Sequence, residues 1–162
     1  MKWWTHRVTT FAAVGAVTGN LFAAGLAAAA SVLPDKIEYM VLPTRSLWSS
    51  WHRTWTHWLC GYAVALVALW WWMTTNDVPV LTVDEVVAGH VTAFEGLPNI
   101  VLWTLIGCVA HVLEDAPCGQ VPVLIPGRKR SACPRLFTVG TLSECIFVTL
   151  VVIVSACTWC LR

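Results

Sequence analysis

The chain has 162 residues, 57% of them hydrophobic and only 12% charged, with a formal net charge of +1. A soluble domain is roughly 45–50% apolar and about 25% charged, and with a mean hydropathy of +0.68 this chain carries too few charges to coat a globule in water. Lipid must therefore cover part of the surface, and the near-neutral balance argues against nucleic acid as a partner, because phosphate backbones require a clustered positive face.

The length predicts one domain, 1–162, and the composition an all-α integral membrane bundle with about four apolar helical segments. Segment one, 8–33, is rich in Ala and Gly and follows Lys2 and Arg7. It resembles a secretory signal in layout but is expected to stay on the chain. Its interior Val17-Thr-Gly-Asn-Leu21 reads as a turn, which permits either one long helix or a hairpin of two short ones. Segments two (58–73) and three (100–113) fall short of the roughly 20 residues a spanning helix needs. They must borrow flanking residues or tilt. Segment four, 137–160, is long enough.

Charge placement sets the expected orientation. Loop 34–57 carries Lys36, Arg45 and Arg53, and loop 116–136 carries Arg128, Lys129, Arg130 and Arg135. The stretch 74–99 holds only Asp77, Asp84, Glu85 and Glu95. Positive loops face the cytoplasm, so a multi-pass membrane protein with the first two loops inside is predicted. Trp3, Trp4, Trp48, Trp51, Trp55, Trp58 and Trp70–Trp72 sit at segment ends, where tryptophans anchor at the interface. The seven cysteines, Cys60, Cys108, Cys118, Cys133, Cys145, Cys157 and Cys160, are odd in number. Several lie within apolar runs, which favours small apolar residues over a disulfide framework.

Four groups of metal-capable side chains lie at segment ends: His6; Asp35 with Glu38; His52 with His57; and His111 with Asp115. His111 and Asp115 are four apart, hence on one helix face, where an imidazole and a carboxylate can grip one cation. Glu114 is expected on another face, solvated or interfacial. Asp35 and Glu38 share a face if helical, with Pro34 suited to the first turn. His52 and His57 are five apart, about 140° around a regular helix. Either a break lies between them, or they serve different ions, or one stands behind the other. His90 in the outward loop reads as structural or solvated. All these groups fall on the cytoplasmic side except His6, which joins them only if segment one turns back.

The motifs "TH" at Thr5, "LPDKIEY" from Leu33, "HRTWTHW" from His52, "GCVAHVLED…GQVPVLIP" from Gly107 and "FTVGTLSE" ending at Glu144 occur in the order of a known family. The chain resembles the YdjM-like bacterial inner-membrane proteins, predicted metal-dependent hydrolases, over most of its length. That family is similar in fold to the zinc-dependent phospholipase C and single-strand nuclease group, whose His and Asp side chains hold a multinuclear zinc centre. The resemblance implies His6, Asp35, His52, His57, His111 and Asp115 as ligands of two or three Zn²⁺ ions. It also implies Glu144 as ligand or base. Within that reading Asp35 bridges ions or acts as base, and Arg53 clamps a phosphate. The substrate expected is a phosphoester, a membrane phospholipid in particular, at the cytoplasmic face. Departures from the pattern are Glu38 for an aspartate, Thr54-Trp55 for Gly-x, and Trp58 for a serine. The bulk of Trp55 and Trp58 is expected to narrow the site or lay it against lipid. A rival reading is a catalytically inactive helical scaffold or accessory subunit of a membrane complex, packing on protein partners through Gly15, Gly19 and Gly25.

Overall fold

The computed structural model describes residues 1–42, 44, 46–47, 51–128 and 134–161. Arg45, Trp48, Lys129, Arg130 and Cys133, named above, lie outside the described residues. Among those described, all regular structure is helical.

Segment one resolves into a hairpin. Helix α1 (Trp3–Thr18) ends at Gly19, whose φ of 70° needs the left-handed region that glycine enters freely. Asn20 then caps α2 (Leu21–Ala30), its side chain accepting from Ala23 N. The two helices pack along each other, and a Cβ on Gly15 would lie 3.7 Å from Ala24 Cβ across the turn. Helix α3 (Leu33–Val41) follows, with Pro34 in its first turn, where a missing N–H costs nothing. A short 3₁₀ turn (Trp55–His57) leads into α4 (Leu59–Thr75). After the small helix α5 (Val83–Val87) come α6 (Ala93–Asp115), a 3₁₀ turn (Ala116–Cys118) and α7 (Leu142–Cys160).

The expectation of about four spans narrows to two. Among the described residues, only α6 with its 3₁₀ extension (26 residues) and α7 (19 residues) are long and apolar enough to cross a bilayer. At about 1.5 Å per residue, the 16 and 10 residues of α1 and α2 fall short of a hydrocarbon layer about 30 Å thick. Helix α4 is a shorter apolar helix of 17 residues. Its Val64, Val67, Trp70 and Trp71 face outward, as do Ile146, Leu150, Ile153 and Val154 of α7. Such faces are stable against lipid, not water.

The core is built from close helix crossings. Ala23, Ala24 and Ala27 of α2 are fully buried with Leu102 and Trp103 of α6. Gly107 is the tightest point: a Cβ there would stand 2.3 Å from Ala27 O. Gly25, expected to serve packing, has nothing within 4 Å of its Cβ position, and Gly19 serves the turn. At the end of the bundle remote from His6, Asn20 Nδ2 donates to Leu81 O (2.6 Å), and Asn99 binds Leu81 N and Pro79 O. Thr82 with Glu85 and Thr92 with Glu95 form capping boxes there, beside the exposed His90. The hairpin brings α3 back to the end where α1 begins, so His6, α3, 52–57 and the end of α6 meet.

Candidate metal centre

Four side chains from three parts of the chain point at one another. His57 Nε2 and His111 Nε2 are 3.0 Å apart. Asp35 Oδ1 lies 3.4 Å from the first and 3.5 Å from the second. Asp115 Oδ2 lies 3.6 Å and 3.8 Å from the same two nitrogens. A tetrahedron with metal–ligand bonds of about 2.0–2.1 Å has edges near 3.4 Å, so the four atoms have the spacing of a zinc-sized cation's ligands. All four residues are buried. Asp35 Oδ1 and Asp115 Oδ2 are buried without hydrogen-bond partners; Asp115 Oδ2 has the Arg53 guanidinium at ion-pair distance, while Asp35 Oδ1 is left in a costly state unless a cation uses its lone pairs. The donor set therefore fits a divalent metal.

The sequence fixes this locally. One helical turn aligns His111 with Asp115 on α6. Asp35 sits on the inward face of α3 next to Glu38. The chain breaks its helix between His52 and His57: Arg53 takes φ 59° and Thr54 φ −111°, ψ −99°. One of the readings left open for this pair thus applies, and a second is allowed by the candidate ligand groups. A break separates them, and His52 joins a second group, with Asp35 and Glu38, while His57 belongs to the first. Asp35 is common to both.

Behind these atoms stands a layer of hydrogen bonds. Glu38 accepts from His52 Nδ1 (2.8 Å), Thr56 Oγ1 and Arg53 N (3.2 Å), and faces His57 Nδ1 at 3.3 Å. Glu38 thus orients His57 both directly and through Thr56 Oγ1, 3.0 Å from Nδ1, so that Nε2 is the nitrogen turned to the centre. Glu114 does the same for His6, accepting at 2.6 Å from Nδ1, and also binds Thr10 Oγ1 at 2.9 Å. His6 Nε2 then faces Asp115 Oδ1 at 3.5 Å without a hydrogen bond, and its ring lies 4.0 Å from that of His111. Glu114 was expected in solvent or at the interface, yet its side chain is only 13% exposed. The available signal was its i, i+3 spacing from His111, which places it on an adjoining stripe of α6. Trp3, expected as an anchor, also donates Nε1–H to Asp35 Oδ2 at 3.2 Å.

Burial opposes ionisation of Asp35 and Glu38, but facing groups overcome it. The imidazoles of His111 and His57 hold Asp35 well below the usual carboxylate range, and His52, His57 and Thr56 hold Glu38 near a pKa of about 2. Burial would lower His57, yet Asp115, Asp35 and Glu38 raise it to about 10. The carboxylates thus draw positive charge to this end of the bundle.

Other expected site residues fall beside the centre. Arg53 Nε lies 2.8 Å from Asp115 Oδ2, and Nη2 donates to Cys118 Sγ at 3.3 Å. Glu144 is buried but apart from both ligand groups. It accepts from Lys2 N (2.8 Å), Thr5 Oγ1 (2.7 Å) and Gly140 N (2.6 Å), tying the start of α1 to that of α7. Trp55 is 62% exposed. Trp58 packs over Gly61 and donates Nε1–H to Leu124 O. Neither intrudes on the centre.

The family model for the YdjM inner membrane protein matches the chain over residues 1–162. No curated protein and no solved structure matches the chain.

Proposed function

Because the chain belongs to the YdjM inner membrane protein family and buries a cluster of His and Asp side chains able to hold a metal ion, we propose that it is a membrane-bound, zinc-dependent phosphoester hydrolase. The observation that carries this reading is the pair of buried carboxylate oxygens, Asp35 Oδ1 with no hydrogen bond and Asp115 Oδ2 with only the Arg53 guanidinium as counter-charge, facing two imidazole nitrogens at 3.4–3.8 Å. Mixed imidazole and carboxylate donors suit Zn²⁺. When bound, Zn²⁺ supplies Lewis acidity toward a phosphoryl oxygen and lowers the pKa of water.

The chain's own residues divide the work. His57, His111, Asp35 and Asp115 form a closed set of four. Asp35, Glu38 and His52 form a set of three, and a site with three protein ligands keeps a position for water or substrate. Asp35, common to both, would be the carboxylate shared between two ions. The side chains of His52 (20% exposed), Arg53 (15%) and Asp35 (10%) open the centre to one side. There Arg53 is the candidate phosphate receptor. Glu38 and Glu114 orient imidazoles, and Glu144 holds α1 in place. The exposed Trp3, Trp4, Trp51 and Trp55 ring the same end, a depth that favours a phospholipid headgroup. The basic residues of the two loops favour the cytoplasmic face for that end. These points carry over the chemistry that the family resemblance implies, and lipid is the substrate class they favour.

The test is zinc content of the detergent-purified chain and its turnover of a chromogenic phosphodiester. One or more equivalents of zinc, lost with turnover in His111→Ala/Asp115→Ala, is the expected result. A folded wild type that takes up no zinc would refute the reading.

A further inference from the structure

Arg53 stands where a guanidinium and a metal would contend for one oxygen. Its Nε approaches Asp115 Oδ2 to 2.8 Å, and that oxygen also faces His57 and His111. The contact has ion-pair distance without hydrogen-bond alignment, and both atoms are buried without hydrogen-bond partners. The guanidinium is held there by the shape of the chain. Arg53 adopts φ 59°, its N–H donates to Glu38 Oε1 at 3.2 Å, and its Nη1 fills the space beside Gly119, where a Cβ would stand 2.0 Å away. Gly119 has φ −171°, extended backbone open to any residue. What the chain needs at 119 is the missing side chain.

We propose that Arg53, seated through Gly119, holds the metal's place on Asp115 and becomes a receptor for a phosphoryl oxyanion once a divalent cation takes Asp115 Oδ2. Cation and anion then bind cooperatively. The proposal rests on the metal-centre reading above. One carboxylate oxygen cannot pair at full strength with a guanidinium and a dication together. The displaced guanidinium is left beside a second positive charge, in a setting of low dielectric where the two repel. An oxyanion between them relieves that repulsion, and a planar guanidinium matches phosphate geometry. By linkage, the anion must strengthen cation binding by the factor with which the cation strengthens anion binding.

The experiment measures zinc affinity of the full chain in detergent against a chromophoric chelator, with and without methylphosphonate. In the wild type, methylphosphonate should raise zinc affinity by about fivefold or more. Arg53→Gln should bind zinc alone about tenfold more tightly, the competing charge being gone, and should lose the methylphosphonate effect. Gly119→Ala, which displaces the end of a flexible side chain and leaves the backbone in place, should move both quantities the same way. The double variant should match Arg53→Gln alone. Zinc binding that is unchanged or weaker in Arg53→Gln, or a methylphosphonate effect that survives it, would overturn the proposal while leaving the metal centre standing. A wild type that binds no zinc would overturn the metal centre itself and this proposal with it. Replacing methylphosphonate by a short-chain phosphatidylglycerol separates the sources. Enhancement by the lipid only assigns the receptor to a headgroup, and enhancement by methylphosphonate assigns it to free phosphoryl anions as well. Enhancement by neither refutes the coupling.

Discussion

Replacing Gly107 by alanine tests whether the crossing of α2 and α6 sets the shape of the ligand cage. The new Cβ would meet Ala27 O at 2.3 Å and Ala30 Cβ at 3.0 Å. Relaxing the first contact to the ordinary range of about 3.5 Å requires the helices to part by about 1 Å, because the obstacle is backbone. Overpacking of this kind costs about 1–3 kcal/mol, and alanine returns up to about 1 kcal/mol through helix propensity. The net loss is on the order of 1–2 kcal/mol. The same displacement reaches the centre, since His111 lies one turn further along α6 and α2 leads directly into α3 with Asp35. Their present separation of 3.5 Å would widen past the edge of a zinc tetrahedron. Zinc affinity should fall by about tenfold or more. Gly25→Ala is the control, because nothing lies within 4 Å of its Cβ position and only propensity acts. Thermal unfolding in detergent and chelator competition read the two effects. A Gly107→Ala protein as stable as Gly25→Ala, with unaltered zinc affinity, would refute the argument.

Two further outcomes are expected. Glu114→Gln removes the charged acceptor that fixes His6, and such outer partners are worth about 10–100-fold in metal affinity. Chelator competition at constant pH should show a loss in that range, and an unaltered affinity would remove Glu114 from the centre. Glu38 has a pKa lowered from 4.5 to about 2 in the folded chain. A lowered carboxylate contributes stability that is present above its unfolded pKa and lost as pH falls through the folded value. Chelator-treated protein should therefore lose stability between about pH 4.5 and pH 2, and Glu38→Gln should flatten that part of the profile in acid unfolding measurements.

Much of the architecture was legible because it follows from local chemistry. The low charge and the apolar runs demand helices in lipid, since only helices satisfy every backbone group within one segment. Gly19-Asn20 could be recognised as a break, but whether it turned the chain back depended on α1 and α2 having each other, and α6, to pack against. Span number was less legible. Segment one has the apolar length of a span, yet its turn divides it into pieces too short to cross. Gly107 stood out only as the start of a motif, because a glycine in a helix reveals its packing role only when the neighbouring helix is in place.

The same division runs through the site. By itself the sequence determined which candidate residues pair on one helix face: His111 with Asp115 through one helical turn, Asp35 with Glu38 through another. It also determined that His52 and His57 cannot serve one ion from a regular helix. Tertiary structure decided the rest. It brought His57 to His111, gave Asp35 to both ligand groups, turned Glu114 inward onto His6, and set Arg53 into the space Gly119 leaves open. Spacing along a helix fixes direction within a turn or two. Distances between side chains 50 to 100 positions apart are set only when helices close on one another and buried carboxylates must find partners.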